Sequence, residues 1–321
     1  MANSRPVLRL DVGQYSHRGR RRTNNEDWLG KFQPEDPARL AQKGSLFLVA
    51  DGMGGHQSGE LASRLAVDQV IRSYVDDPGV DVGHSLRRAV ESANAALYAQ
   101  SERGAGAEAG RDWGTTLVGA VVRRDELWLA NVGDSRAYLL RGGRLRQLSE
   151  DHSLFPEKGD AEPGNRKKRH VITRALGRKP DVEVDLFPPL KLRAGDRLLL
   201  CTDGLTTPLS DERIQAIAGR YPPQEAAEAL VRAANEEGGS DNVSVILVKV
   251  SGPPAASPQA TVRDILRAWT SGDAWRGALT SLRSALPEGV RESPTWVITL
   301  ALLLATLIVI GLGFVLGLLF L

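Results

Sequence analysis

The chain has 321 residues, of which 42% are hydrophobic and 25% are charged, and its formal net charge is +2. This composition excludes a disordered chain and allows one core of ~240 residues plus a smaller segment, while the small net charge argues against a nucleic-acid partner. The single cysteine, Cys201, excludes an intramolecular disulfide and, with no apolar stretch near residue 1, predicts a reducing, cytosolic location for the main domain.

Apolar residues in the first third of the chain predict one strand and a pair of helices. The continuous apolar run at residues 45–50 predicts a strand that ends at the turn sequence Asp-Gly-Met-Gly-Gly-His, which begins at Asp51. Apolar side chains at three- and four-residue spacing then predict helices within residues 61–74 and 82–97.

The following segment predicts strands. Residues 127–132, a break at Gly133 and Asp134, and residues 137–140 indicate successive short strands joined by tight turns, with a further turn at residues 141–143. Such a meander is antiparallel.

Another strand, another helix and a last strand complete the predicted domain. Residues 197–202 predict a strand that leads to Asp203, residues 227–234 have helical spacing, and Asp241 precedes an apolar strand at residues 243–250. Because strands cluster with strands and helices come in pairs, the pattern favours a layered α+β fold over a doubly wound one.

The C-terminal part differs in composition from the rest. A Pro-, Ala- and Ser-rich stretch after residue 250 is typical of a linker, and residues 261–286 predict either a basic amphipathic segment on a lipid surface or an irregular spacer. Residues 293–321 contain no charged side chain, and an apolar helix of this length exceeds the ~30 Å hydrocarbon core of a membrane. We therefore expect a domain at residues 7–250, a linker at 251–294 and a single-pass transmembrane anchor at 295–321 that keeps the domain cytoplasmic.

Three acidic residues lie at predicted strand ends. Asp51 and Asp203 each follow a predicted strand and precede a glycine. Asp241 lies just before the predicted strand at residues 243–250. Because a folded sheet can bring such ends together, the sequence predicts a metal site built from these carboxylates.

Six short motifs carry a resemblance to a known family. They are residues 22–27 (Arg-Thr-Asn-Asn-Glu-Asp), 51–56 (Asp-Gly-Met-Gly-Gly-His), 114–116 (Gly-Thr-Thr), 133–136 (Gly-Asp-Ser-Arg), 201–204 (Cys-Thr-Asp-Gly) and 241–243 (Asp-Asn-Val). Their order resembles that of the bacterial branch of the metal-dependent, type-2C-like serine/threonine protein phosphatases, over residues 7–250. This resemblance implies an antiparallel β-sandwich flanked by helices on both faces, a four-layer αββα fold.

The resemblance also implies a centre of two Mn²⁺ or Mg²⁺ ions. Asp51 would bridge the ions, the Gly52 carbonyl would complete one, and Asp203 with Asp241 would hold the other. Glu26 and Asp27 would lie at the same centre, directly or through water. Oxygen ligands suit magnesium or manganese and argue against zinc.

Further residues take roles by the same resemblance. Arg22 would clamp the substrate phosphate through its planar guanidinium, and Asp134 would belong to a looser third metal site. Met53 stands where eukaryotic relatives have a histidine as general acid. His56 is then a candidate proton donor, and two alternatives stay open, a structural role for His56 and protonation by metal-bound water.

Residues 149–174 correspond to a flap over the cleft, where the sequence leaves an acidic third-site ligand, Asp151 or Asp160, unassigned. The basic run at residues 166–169 is either a site for acidic phosphopeptides or a solvated loop.

The sequence thus predicts hydrolysis of phosphoserine and phosphothreonine on proteins, by attack of a water that bridges two divalent ions. The expected partners are phosphorylated proteins, such as a Ser/Thr kinase or its substrates, at a membrane. Two alternatives remain, a catalytically weak scaffold that binds phosphoproteins and a phosphatase of a small phosphorylated metabolite.

Overall fold

The computed structural model describes residues 8–54, 57–102, 113–154 and 171–252, which belong to one compact unit, Met1–Pro254. The strands in these ranges are β1 (Arg9–His17), β2 (Asp27–Phe32), β3 (Ser45–Met53), β4 (Gly114–Thr115), β5 (Leu117–Arg123), β6 (Glu126–Val132), β7 (Arg136–Arg141), β8 (Arg144–Gln147), β9 (Asp185–Lys191), β10 (Arg197–Cys201) and β11 (Val243–Ser251). The helices are α1 (Pro37–Lys43), α2 (Gln57–Asp76), α3 (Val82–Gln100), α4 (Asp203–Thr206), α5 (Asp211–Arg220) and α6 (Pro223–Glu236).

Several sequence-based predictions lie outside the described residues. These are the linker, the transmembrane anchor at 295–321, His56, Asp160 and the basic run at 166–169. None of the helices in the described ranges combines the length and the apolar character that a membrane span requires.

The strands form two antiparallel sheets that pack face to face. One sheet has the order β1-β11-β10-β7-β8, and the other has the order β2-β3-β5-β6-β9, with β4 paired to β3. Phe47, Val49 and Val118 of the second sheet lie in one buried cluster with Leu198 and Ile246 of the first. The sandwich core therefore lies between the sheets.

Helices cover both outer faces, so that central strands are buried on both sides. On β3, Phe47 faces the sandwich core, whereas Leu46 and Leu48 pack in a second cluster with residues of α2 and α3. On β10, Leu199 packs in a third cluster with residues of α5 and α6. The unbroken apolar runs of the sequence follow from this double burial, and the four-layer αββα arrangement is confirmed.

The predicted meander at residues 127–143 is wrong at one connection. β6 pairs with β5 and β9, while β7 pairs with β10 and β8, so the chain crosses from one sheet to the other at residues 133–135. Gly133 makes this crossing with a φ of 110°, and a Cβ there would lie 2.6 Å from Thr116. Both strands still present apolar residues to the shared core, which is why their pattern resembles a hairpin. The β7–β8 turn is a true hairpin, with Gly142 and Gly143 at φ 57° and 77°.

Candidate active site

Asp51 lies on a strand that is longer than its apolar run predicts. β3 continues to Met53 because Asp51 pairs with Asp27 of β2 and Gly52 pairs with Thr115 of β4. Residues opposite each other in adjacent antiparallel strands point to the same face of a sheet. The two carboxylates of Asp27 and Asp51 are therefore neighbours.

Asp203 and Asp241 come from the other sheet. β10 ends at Cys201, and Asp203 begins the short helix α4. A Cβ on Gly204 would lie 1.8 Å from the Asn242 carbonyl oxygen, so only glycine allows α4 to pack this closely on the residue after Asp241. This contact brings two of the predicted carboxylates together.

A cleft of about 460 Å³ joins the two groups of carboxylates. Its lining is formed by Arg22, Glu26, Asp51, Gly52, Met53, Gly54, Ile172, Asp203, Thr207, Ser240, Asp241 and Asn242. The structure therefore brings together six of the residues that the sequence assigns to the site. Asp27 lies behind the cleft, beside Asp51.

Two of the carboxyl groups, Asp27 and Asp51, have raised pKa values. Burial and the charges of Asp27, Asp203, Asp134 and Asp241 hold the pKa of Asp51 well above its usual range. Burial, in spite of hydrogen bonds from Ser244 and Thr202, raises the pKa of Asp27 to about 7. A set of carboxylates that cannot all ionise together is stabilised by a cation.

The donor set fits a hard divalent cation. Asp27 Oδ2 accepts a hydrogen bond from Thr202 Oγ1 at 3.0 Å, but its buried Oδ1 has no hydrogen-bond partner among the described residues. In those same ranges, no group of three or more Asp, Glu, His or Cys side chains is placed so that it could hold a metal ion. Mg²⁺ in proteins is usually held by only one or two carboxylates and keeps several water ligands.

Arg22 lies at the mouth of the cleft and contacts a carboxylate. Its Nη2 donates to Asp241 Oδ2 at 2.8 Å, and its side chain is 53% exposed. This hydrogen bond, more than the other nearby charges, raises the pKa of Arg22. The guanidinium is thus held beside the carboxylates, where an incoming anion can reach it.

Comparison with known proteins agrees with this site. The protein phosphatase 2C family profile matches residues 14–247. The serine/threonine phosphatase Stp of Listeria welshimeri is 37% identical over 247 residues, which cover 72% of this chain and 92% of that protein. A crystal structure of the Mycobacterium tuberculosis serine/threonine phosphatase PstP/Ppp has a TM-score of 0.65 and 35% identity, covering 76% of this chain and 100% of the other. Another, of the PstP catalytic domain in complex with two manganese ions, has a TM-score of 0.63, 35% identity and the same coverage.

The chain belongs to the protein phosphatase 2C family. The resemblance carried by the six motifs is thereby confirmed, and with it the predicted enzyme class.

In this phosphatase 2C chain, the Gly114-Thr115-Thr116 motif fixes the backbone of Asp51. The Asp51 N–H donates to Thr116 Oγ1 at 3.0 Å, and the Asp51 carbonyl accepts from Thr115 Oγ1 at 2.8 Å and from the Thr116 N–H at 2.9 Å. The sequence identifies this motif but does not predict its structural role. Its hydroxyls hold a repelled carboxylate in place without adding charge.

Asn242 holds the loop that carries Arg22 and Glu26. Its Oδ1 accepts from the Glu26 N–H at 2.8 Å, and its Nδ2 donates to the carbonyls of Arg18 at 2.9 Å and Asn24 at 2.8 Å. One side-chain amide therefore joins the start of β11 to residues 18–26. This role explains why an asparagine follows Asp241 in the sequence.

Asp134 lies on the crossing between the sheets and is 6% exposed. It is close enough to Asp51 to raise its pKa. The hydroxyl of the next residue, Ser135, is 2.7 Å from that of Thr116. Asp134 thus lies near Asp51, and its role at a third metal site stays a prediction.

His152 is a buried side chain that supports this crossing. Its Nδ1 accepts from the Gly133 N–H at 3.0 Å. Its Nε2 lies 2.9 Å from Asp185 Oδ2, and Arg174 binds the other oxygen of Asp185 at 2.6 Å. The imidazole therefore connects the crossing to β9 and to the C-terminal end of the flap.

The described part of the flap excludes one candidate ligand. Both carboxylate oxygens of Asp151 accept hydrogen bonds from Arg136, at 2.6 to 2.9 Å, and the side chain is 7% exposed. Asp151 is therefore a structural partner of the arginine in the Gly-Asp-Ser-Arg motif.

Sequence reasoning missed three residues of the cleft. They are Ile172, Thr207 and Ser240. Thr207 could have been found from its spacing, because it lies four residues after Asp203, which is one helical turn. In the structure its N–H donates to the Asp203 carbonyl at 2.8 Å. Ile172 had no such signal, since its position depends on the bridge that it forms with Ser153 at the base of the flap.

Replacing Asn242 tests the support of the catalytic loop. We expect Asn242→Ala to lower the free energy of unfolding by about 2–3 kcal/mol and to abolish activity, because three backbone groups lose their partner. Urea unfolding and phosphate release measure the two effects. The matched control is Gln33→Ala, which removes one exposed amide hydrogen bond to Leu10 at the far end of β2. Wild-type stability in Asn242→Ala would contradict the assignment.

The raised carboxyl pKa values predict how stability depends on pH in chelator. At about pH 2–3, well below the ordinary Asp pKa of about 3.9, these carboxyls are protonated in both the folded and the unfolded protein, so they do not affect the free energy of unfolding. As pH rises towards 7, the unfolded chain releases protons that Asp27 and Asp51 retain, and the melting temperature is expected to fall. Mn²⁺ should restore it at pH 7.5 and have little effect at pH 4.

The control for this experiment is Asp27→Asn, which cannot titrate and should flatten the decline in chelator. An equal decline in wild type and Asp27→Asn would assign the pH dependence to other groups.

Proposed function

We propose that this chain hydrolyses phosphoserine and phosphothreonine on proteins in a reaction that requires Mn²⁺ or Mg²⁺. The observation that carries the proposal is the group of mutually repelling carboxylates, Asp27, Asp51, Asp203 and Asp241, gathered around one open cleft. The family membership and the manganese-bound PstP structure support it.

The residues that would hold the ions are those that the cleft brings together. Asp51, the Gly52 carbonyl, Asp203 and Asp241 would hold the two ions, and Glu26 and Asp27 would contribute directly or through water. Asp134 would hold a third ion. Two such ions would lower the pKa of water enough to supply a hydroxide nucleophile near neutral pH, and they would neutralise phosphoryl charge.

The protein itself binds and orients the substrate. Arg22 exchanges its contact with Asp241 for two phosphate oxygens, a contact that suits the planar guanidinium. Thr202 holds Asp27 in its orientation through one hydrogen bond. His56 is our proposed proton donor to the leaving serine or threonine oxygen.

A cysteine nucleophile has no place in this reaction. Cys201 is fully buried on β10, and burial raises the pKa of its thiol to about 12. At neutral pH the thiolate is almost absent, and the thiol does not line the cleft. We therefore infer direct attack by water without a covalent intermediate on the enzyme.

The test is phosphate release by the full chain from a phosphothreonine peptide, with Mn²⁺, with Mg²⁺ and with chelator. Asp203→Asn is expected to lower the rate at least about 100-fold while leaving the fold intact, because it removes charge from the metal centre. The control is Asp68→Asn on α2, whose half-exposed carboxylate faces Arg64. Near-normal turnover in Asp203→Asn would contradict the proposal. Turnover of sugar phosphates but not of the phosphopeptide would favour the metabolite phosphatase. If a folded, metal-loaded chain hydrolyses no substrate, the result would favour the phosphoprotein-binding scaffold.

We also propose that residues 295–321 tether the enzyme to a membrane, near a phosphorylated kinase or its substrates. The support is the uncharged, apolar sequence of residues 293–321. Deleting 295–321 is expected to move the protein from the membrane fraction to the soluble fraction with activity unchanged. Fractionation with an activity assay measures both, and a truncated protein that still sediments with membranes would contradict the tether.

A further inference from the structure

A ridge of two packed segments, residues 18–22 and 238–242, borders the catalytic cleft. The Arg20 and Arg21 N–H groups both donate to the Gly239 carbonyl, at 2.8 and 3.2 Å. A Cβ on Gly19, whose φ is 79°, would lie 2.2 Å from the Asp241 carbonyl oxygen. This close packing fixes the backbone that carries the arginines.

The two sides of the ridge face different cavities. Arg22 and Asp241 line the catalytic cleft. Arg20 lines a second cavity of about 320 Å³ between β1 and α6, with His17 and Arg232 among the other lining residues. The two cavities are thus neighbours that share one wall.

The second cavity has an excess of positive charge. In the ranges that the structure describes, Arg20 and Arg232 are exposed and neither forms an ion pair with a carboxylate. Glu228 is the one acid in the lining, and its Oε1 accepts from Gln224 Nε2 at 2.9 Å. His17 Nδ1 accepts a hydrogen bond from the Gly19 N–H at 2.9 Å. Two guanidinium groups therefore remain for an anion, and their planar shape suits a phosphate or a carboxylate.

The two arginines lie close together in the chain. Arg20 and Arg22 are two residues apart, at and just after a turn at residues 19–21, and they line adjacent cavities. Two to three residues of an extended substrate peptide span about 7–10 Å. A substrate peptide that crosses the ridge with its phosphorylated residue beside Arg22 therefore places a residue two or three positions away over Arg20.

We propose that the second cavity is a substrate subsite for an anionic group, a second phosphate or an acidic side chain, two to three residues from the phosphate that is removed. Arg20 and Arg232 bind this group and select substrates that carry it. The inference rests on the proposed phosphatase activity and adds the class of substrate to it.

The experiment compares three phosphothreonine peptides as substrates of the full chain. One has neutral flanks, one has aspartate two and three residues away on both sides, and one has a second phosphothreonine at those positions. We expect wild type to favour the two anionic peptides in kcat/KM. Arg20→Ala and Arg232→Ala should lower the ratio of anionic to neutral kcat/KM about three- to tenfold, and Arg20→Lys should restore part of it.

Arg21→Ala is the matched control, because Arg21 is an exposed arginine of the same ridge whose side chain lines neither cavity. It should keep the wild-type ratio. Raising the salt concentration should reduce the preference in wild type and leave the ratio in Arg20→Ala almost unchanged. A preference for the phosphorylated peptide alone would assign the subsite to a second phosphate.

Three results would overturn the proposal. They are equal rates of wild type on all peptides, equal effects of Arg20→Ala and Arg21→Ala, and full preference in Arg20→Ala. In each case, turnover of the neutral peptide would still support the proposed phosphatase activity. If no peptide is hydrolysed, the activity itself fails, and binding of the same fluorescent peptides to wild type, Arg20→Ala and Arg21→Ala still decides the subsite.

Discussion

The repulsion among buried carboxylates is the constraint on which this structure depends. Asp51 comes from one sheet, and Asp203 and Asp241 come from the ends of strands in the other. Each raises the pKa of Asp51, so bringing them together costs free energy until a cation binds. The apolar core between the sheets must supply that free energy, because the site exists only when both sheets are packed.

Neutral polar groups hold this cluster, and they act mainly on its backbone. Thr115 and Thr116 bind the peptide groups of Asp51, and Asn242 binds those of residues 18–26. His152 supports the crossing at Gly133 in the same way. The two threonines therefore position Asp51 through its peptide groups and not through its carboxylate oxygens. Rigid support without added charge is what a metal centre requires of its surroundings.

Much of this arrangement could be predicted from the sequence, because periodicity and motif order are local signals. Helices α2, α3 and α6 lie where apolar spacing predicts them, and the carboxylates of the motifs meet in one cleft. The crossing at Gly133 could not be predicted from the sequence. Two apolar strands joined by a short turn have the same residue pattern whether the second strand pairs in the same sheet or in the facing sheet. The extension of β3 to Met53 depends on pairing with β4, in which Gly114 lies opposite Met53 although the two are far apart in the chain. Ile172 enters the cleft only through the folding of the flap base.

The arrangement of the ridge ties catalysis to substrate selection. Asn242 donates to the carbonyls of Arg18 and Asn24, which lie on either side of the three consecutive arginines, and it accepts from the Glu26 N–H. One amide therefore sets the positions of Arg22 and Glu26 at the cleft and of Arg20 at the second cavity. Selectivity on such a ridge can change through the exposed side chain of Arg20 without moving the backbone. A change in Asn242 or Gly19, by contrast, would shift both cavities at once, because each makes its contacts through the shared backbone.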